Sequence, residues 1–480
     1  MTSASLQPII PGFYPDPTIC KVGGDYYLAN SSFEYFPGAP LWHSTDLITW
    51  TQIGNILTTR EQFVEGVSRP SGGIYGSTLR HHDGLFYFIT TNVSDYDSGQ
   101  VVVTATDPAG PWSAPIHIRE AIGIDPDLAW DEDGQAILTY KNLEFDKGTA
   151  GVMQAPVDLT TGALLSPLQS VWQGTGDAHP EGPHLYKIGD WWYMFLSEGG
   201  TERGHEITIA RAERPSGPFE ACPANPVYTR RSTDYPVQSV GHSDLVETPD
   251  GGWAIVHLAN RPRGSTPGFH VLGRETFLAG VEWIDGWPRV LPEAFDIPPV
   301  DTAFEDDFSG PLDPRWVVPA GDIASVSVSG EGTSVPAGQF LCFRARDLRW
   351  RATAVLSSGG FEVRMDPSHG IGVRLADGVV TAFVRIQSAV AELGVASVGA
   401  GAVAVTLAAE DAIKPHVNLG DAGPDDIVVY VELDGEATEI GRFDGRYLST
   451  EVASGFTGRV IALGAEDATT RVARVEYRSA

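Results

Sequence analysis

The sequence predicts an all-β protein: a five-bladed β-propeller over residues 1–297, followed by a β-sandwich over residues 298–480. Three observations predict it. Glycine and proline, 54 and 34 of 480 residues, are frequent enough to favour many short elements joined by turns over long helices. A turn glycine followed by an apolar, aromatic-rich run recurs five times in the first part of the chain. In the last part, apolar and polar residues alternate with period two, as they do in half-buried strands.

The repeats come first, because a missed period would misread the whole fold. They are Gly24-Asp25-Tyr26-Tyr27-Leu28, Gly84-Leu85-Phe86-Tyr87-Phe88, Gly134-Gln135-Ala136-Ile137-Leu138, Gly189-Asp190-Trp191-Trp192-Tyr193 and Gly251-Gly252-Trp253-Ala254-Ile255. Their glycines are 60, 50, 55 and 62 residues apart. A unit of that length made of short strands is the size of one four-stranded propeller blade. Asp107-Pro108-Ala109-Gly110-Pro111-Trp112 and Arg214-Pro215-Ser216-Gly217-Pro218-Phe219 echo one another a similar distance after two of the repeats.

The strand before each repeat glycine is expected to be the inner or near-inner strand, so residues at one offset upstream should gather on the central axis. Asp16, Asp125, Glu181 and His242 lie 8, 9, 8 and 9 residues before their glycines, and Gly76 takes that place in the second repeat. Singly, each could be a turn or loop residue. Together they put three carboxylates and a histidine at one mouth of the propeller.

Two carboxyl groups flanking a glycosidic bond can hydrolyse it. One protonates the leaving oxygen and the other activates water, with ~6.5–9.5 Å between them when configuration inverts. A third carboxylate can raise the acid's pKa by like-charge repulsion. Phe33, Tyr35, Phe36, Trp42 and Tyr75 supply aromatic faces for stacking on a sugar, although blade core is the alternative use of such rings.

Charge points to the same kind of substrate. With 32 Lys and Arg against 62 Asp and Glu, the formal net charge is −30, which repels phosphate backbones and anionic lipid surfaces. Neither nucleic acid nor membrane is an expected partner, and a neutral oligosaccharide is; self-association into a homo-oligomer is left open. The segment from Met1 to Ile10 has no Lys or Arg and no apolar run, so no export signal is expected. Cys20, Cys222 and Cys342 are odd in number and widely spaced, which fits buried thiols in a reducing compartment, the cytoplasm.

Seven ordered motifs resemble those of glycoside hydrolase family 43, in the subgroup of β-xylosidases and α-L-arabinofuranosidases with a C-terminal β-sandwich. They are Pro11-Gly12-Phe13-Tyr14-Pro15-Asp16-Pro17, Ser31-Ser32-Phe33-Glu34-Tyr35-Phe36-Pro37-Gly38, Arg69-Pro70-Ser71-Gly72-Gly73-Ile74-Tyr75, Gly123-Ile124-Asp125-Pro126, Pro180-Glu181-Gly182-Pro183-His184, Gly241-His242-Ser243-Asp244-Leu245-Val246-Glu247 and Leu272-Gly273-Arg274-Glu275-Thr276-Phe277. The resemblance implies an inverting, exo-acting hydrolase, with Asp16 as general base, Asp125 as the group that tunes and orients the acid, and Glu181 as general acid. It further implies that Arg274 donates to substrate hydroxyls and that His242 lies on the axis beneath the sugar. In some relatives this histidine faces a bound calcium ion or its waters. Calcium is therefore a candidate ion beside His242, although the reaction needs no metal and one histidine is a poor calcium site.

This chain departs from the family pattern in places. Tyr75 stands where Trp is frequent, and Gly76-Ser77 where Ala-Pro is frequent. Asp127 replaces a small residue and is expected to add a second negative charge near Asp125. The strand Leu138-Thr139-Tyr140-Lys141-Asn142 is also unusual.

The propeller pattern stops near Trp283-Ile284-Asp285-Gly286-Trp287-Pro288, and Pro298-Pro299 with Glu305-Asp306-Asp307 reads as a linker. Beyond it, Phe361, Val363 and Met365 face one way against Glu362 and Arg364, and Ala473, Val475 and Tyr477 oppose Arg474, Glu476 and Arg478. The uncharged stretch Leu393 to Ala409, interrupted by Gly394, Gly399 and Gly401, reads as two strands around a glycine turn, being too short and too broken to span a bilayer. Gly455-Phe456-Thr457-Gly458 resembles the family loop whose aromatic closes the propeller mouth to a pocket, which implies removal of single terminal sugars.

The expectation is thus a β-xylosidase ahead of an α-L-arabinofuranosidase. A non-catalytic sugar-binding propeller and an endo-arabinanase with an open groove are the rivals.

Overall fold

Each repeat glycine closes the turn between the first two strands of a separate antiparallel sheet. The computed structural model describes residues 7–64, 69–143, 151–413 and 422–480. In it the five sheets begin with Thr18–Val22, Ile74–His82, Gly123–Trp130, Glu181–Ile188 and Gln238–Glu247, and each is followed by the aromatic-rich strand of its repeat: Asp25–Ala29, Leu85–Asn92, Ala136–Asn142, Trp191–Glu198 and Trp253–Asn260. Every first strand touches the first strands of the sheets before and after it, and Gln238–Glu247 returns to Thr18–Val22. The ring is therefore closed, with five blades.

Closure is tied by hydrogen bonds between blades far apart in sequence. Ile9 N–H donates to the Thr276 carbonyl of the fifth blade at 2.9 Å, and Asn30 Nδ2 of the first blade reaches Thr276 Oγ1 at 3.0 Å. Apolar clusters fill the wedges between blades. Tyr193, Phe195 and Ile207 meet Leu245, Ile255 and Phe277 between the fourth and fifth; Tyr26, Leu28 and Trp42 meet Val246 and Val256 between the fifth and first. Trp42 is thus blade core. Cys20, Cys222 and Cys342 are free and buried, and burial pushes the Cys20 thiol up to about 12.

The chain divides into two compact units. The first comprises residues 1–10, 14–260 and 275–299; the second comprises 11–13, 261–274 and 300–480. The second is built from antiparallel sheets joined through one long strand, Trp350–Asp366. Its first half pairs with Val403–Glu410 and Thr470–Ser479, and its second half with His369–Ala376 and Val460–Gly464. The strand changes sheets at Gly359-Gly360. Gly359 has φ +90, and a Cβ there would lie 2.1 Å from Thr470 Oγ1, so only glycine fits the corner.

Two details of the alternation differ from the expectation. Glu362 and Arg364 do oppose Phe361 and Val363, but they are buried as well, because Arg385 covers Glu362 at 2.8 Å and Arg364 lies over the Phe340 ring at 4.3 Å. In the last strand a bulge buries Val472 and exposes Ala473, so the period slips by one residue there. Ala389–Ser397 and Val403–Glu410 flank the expected glycine turn. No helix among the described residues is long and apolar enough to cross a membrane.

Low on the axis of the first unit, all five blades are knotted through one guanidinium. Arg80, from the second blade, donates through Nη1 to Asp244 at 2.8 Å and through Nη2 to Asp127 at 2.9 Å, both carboxylates being fully buried. Thr18 Oγ1 of the first blade reaches Asp244 at 2.7 Å, His184 of the fourth lies 3.2 Å from Asp127, and the Tyr186 hydroxyl also donates to Asp244. Asp127 is therefore not a free charge beside Asp125, contrary to the expectation: it is ion-paired with Arg80, which it shares with Asp244.

Removing one partner of a buried pair strands the others, at a cost of about 3–5 kcal/mol. Arg80→Met is accordingly expected to lower the free energy of unfolding of the first unit by about 3–5 kcal/mol, read as a lower urea midpoint at unchanged slope. An unchanged midpoint would show that the knot is not what holds the blades together.

Candidate active site

Two residues N-terminal to the axial knot, the inner strands share a backbone anomaly. Asp16 (φ 50), Asp125 (φ 55), Gly182 (φ 57) and His242 (φ 44) all adopt the left-handed region. The inner strands of the second to fifth blades are bulged there, with register shifts between Ile74 and Ser77, Ile124 and Asp127, Glu181 and His184, and Gly241 and Asp244. Side chains point alternately up and down a strand, and a bulge re-aims one of them. Here the bulge separates a lower layer (Thr18, Asp127, His184, Asp244) from an upper layer that carries the candidate catalytic groups. A non-glycine residue held at positive φ costs ~1–3 kcal/mol, and such strain gathers at functional sites.

The left-handed register also refines the counted offset. The fourth blade's counterpart of Asp16, Asp125 and His242 is Gly182, and Glu181 precedes it by one residue. Gly182 supplies backbone instead of a side chain: its N–H donates to Asp125 Oδ2 at 3.1 Å, and a Cβ on it would lie 3.1 Å from the His242 ring. The second blade supplies bare space. A Cβ on Gly76 would lie 2.4 Å from Asp125 Oδ1 and 2.8 Å from His242 Cε1.

Contacts run without a break across the layer. Ser31 Oγ donates to Asp16 Oδ2 at 2.7 Å, and Asp16 Oδ1 lies 3.8 Å from His242 Nδ1. His242 meets Gly182 and Asp125 as described, and its backbone N–H donates to Ser197 Oγ. Glu181 is partly exposed. Its Oε2 accepts from Lys141 Nζ at 2.7 Å, and its Oε1 lies 3.7 Å from His205 Nε2. Asp16, Asp125 and His242 thus meet on one axis, as the repeat count expects, and Glu181 lies one residue before Gly182, their counterpart in the fourth blade.

The electrostatics distinguish Asp125 from Glu181. Burial, together with the like charges of Glu181 and Asp16, raises Asp125 above its ordinary range against the pull of His242 and Lys141. Burial also pushes Glu181 up, but the Lys141 ammonium and His205 outweigh it and leave Glu181 below its ordinary range. The sequence-based expectation has the third carboxylate lifting the acid. In the structure the lift falls on Asp125 itself.

The aromatic and C-terminal candidates lie as follows. Phe33 is 1% exposed and packs edge-on against Tyr75 at 5.1 Å, so it serves as a backing for Tyr75, which is only partly buried. Tyr75 is fixed at its other end by a 2.9 Å hydrogen bond from its hydroxyl to the Ser71 carbonyl. Arg274 and Phe456 both belong to the second unit, with the guanidinium 5.6 Å from the phenyl centroid. Among the described residues, no group of three or more His, Cys, Asp or Glu side chains is placed to hold a metal ion.

Sequence reasoning missed Lys141 and His205 as members of the site. Lys141 had a signal: it is the only charged residue in the otherwise uncharged strand Ala136–Asn142. His205 had none, because it sits at the end of a glycine-rich turn outside the repeat count.

Residues 5–288 match the family model described as glycosyl hydrolases family 43. A xylosidase/arabinosidase of Butyrivibrio fibrisolvens is 46% identical over 60% of this chain and 56% of its own length. A non-reducing end α-L-arabinofuranosidase of Bacteroides ovatus is 44% identical over 59% of this chain and 53% of its own length. The match therefore spans little more than half the length of these curated relatives. A solved xylan β-1,4-xylosidase from Bacillus halodurans superposes with a TM-score of 0.86 at 28% identity, covering 98% of this chain and 99% of that one.

Proposed function

The chain belongs to glycosyl hydrolases family 43, and from that premise we propose that it is an inverting exo-glycosidase that releases a terminal xylose or arabinofuranose from short hemicellulose oligosaccharides, with β-xylosidase the leading activity. The observation that carries the proposal is the upper layer, where Asp16, Asp125 and His242 are held at positive φ on one axis and Glu181 stands next to Gly182, which takes the same conformation in the fourth blade.

Asp16, oriented by Ser31, is the general base that takes a proton from water. Glu181 gives its proton to the leaving oxygen. Asp125, whose Oδ2 accepts from the Gly182 N–H, orients the backbone on which Glu181 is carried. His242 forms the floor, and Tyr75 offers a ring edge to the sugar. Family relatives named for xylosidase and for arabinofuranosidase activity support α-L-arabinofuranosidase as the second reading. Free, buried thiols support a reducing compartment.

The test is a paired assay on an aryl β-xyloside and an aryl α-L-arabinofuranoside, with the first-formed anomer followed by proton NMR. The expected result is faster release from the xyloside with α-xylose appearing first. Retention of the β configuration, or hydrolysis of neither substrate, overturns the proposal.

A further inference from the structure

A general acid needs a proton when substrate arrives, yet in this molecule the group assigned that task is bound to an ammonium. Lys141 sits on the second strand of the third blade, where every residue from Ala136 to Asn142 is buried. Burying a lysine is costly unless it is paired, so its position calls for a role. Among the described residues, its only hydrogen bond to a charged group is the 2.7 Å contact to Glu181 Oε2.

The charged and titratable groups around Glu181 come from three blades. They are Lys141 and Asp125 from the third, His205 from the turn before the third strand of its own blade, and His242 from the fifth. Lys141 is the nearest and the only fixed cation among them. An opposite charge at hydrogen-bond distance favours the ionised carboxylate.

We infer that Lys141 is a positioning residue for the acid: it fixes the Glu181 carboxyl and stabilises the carboxylate left after the proton has moved to the leaving oxygen. In that step the Glu181 O–H bond breaks, a bond forms between the proton and the glycosidic oxygen, and the bond from that oxygen to the sugar's anomeric carbon breaks as water adds there and gives one proton to the Asp16 carboxylate. The carboxylate that remains is held by Lys141. A stronger acid donates more readily, but it is protonated over a narrower range, so the enzyme works best on the acidic side of neutrality. The inference rests on the assignment of Glu181 as acid.

The experiment compares pH profiles of kcat/KM for wild type, Lys141→Met, Lys141→Gln and Lys141→Arg on an unactivated xylo-oligosaccharide. The rate falls on the alkaline side when the acid loses its proton. Without the ammonium that loss comes later, so the alkaline limb should move up by about one to three pH units in Lys141→Met and Lys141→Gln. Lys141→Arg, which keeps the charge, should keep the limb near wild type, and Lys141→Gln carries the measurement if Lys141→Met does not fold.

An unmoved limb in the neutral variants, or an equal movement in Lys141→Arg, overturns the inference. Glu181→Ala, assayed alongside on good and poor leaving groups, separates the two claims. A loss confined to poor leaving groups, together with an unmoved limb, sinks only the role of Lys141. Equal losses on both kinds of substrate sink the acid assignment itself.

Discussion

Asp16→Asn is expected to lower kcat by about two to four orders of magnitude on every substrate, whatever its leaving group, because both good and poor leaving groups need an activated water. The structure favours asparagine over alanine for this test. Residue 16 sits at φ 50, which asparagine tolerates through local hydrogen bonding and alanine does not. Asparagine also keeps an oxygen that can accept from Ser31 Oγ, now at 2.7 Å from the carboxylate. What it loses is basicity, so KM and the unfolding midpoint should stay close to wild type while kcat collapses. A variant that kept about a tenth or more of the wild-type kcat would show that water is activated elsewhere. A loss that spared poor leaving groups would assign Asp16 a different step.

The repeat that betrays the fold is local: a glycine in a tight turn followed by an aromatic strand. A turn and the strand beside it are set by neighbouring residues, so the inner strands could be placed by counting back from Gly24, Gly84, Gly134, Gly189 and Gly251. The same counting brings Asp16, Asp125 and His242 to one layer. It fails by one residue at Glu181, because it cannot see which residue of a bulge takes the left-handed conformation. In the fourth blade that residue is Gly182.

The axial knot was illegible for a different reason. Arg80 meets Asp127 and Asp244 across sequence separations of 47 and 164 residues, and nothing local marks them as partners. Asp127 therefore read as surplus charge when it is one half of a buried ion pair. The same limit hid Lys141, 40 residues from Glu181 in sequence but at hydrogen-bond distance in space. Alternation in the second unit showed which residues share a face, but not that Arg385 and Phe340 would bury the face carrying Glu362 and Arg364. Pattern gives direction along a strand; what packs over the strand comes from elsewhere in the chain.

Glu181→Ala is expected to separate substrates by their leaving groups. Loss of a general acid costs about two to four orders of magnitude where the departing alcohol needs a proton, as between two sugars. An activated aryl glycoside, whose phenolate leaves unprotonated, should lose far less. The alkaline limb of the pH profile on the oligosaccharide should vanish with the residue that produced it, while the acidic limb, set by the base, should remain. Alanine removes the partner of Lys141 and leaves a buried ammonium, so some stability loss is expected as well, and Glu181→Gln guards against confusing the two effects. Glutamine keeps an acceptor for Lys141 but has no proton to give, and it should show the same dependence on leaving group. If both variants lose activity equally on good and poor leaving groups, proton donation does not pass through Glu181. Asp125, the carboxyl that burial and its like-charged neighbours raise, would then be the group to replace next.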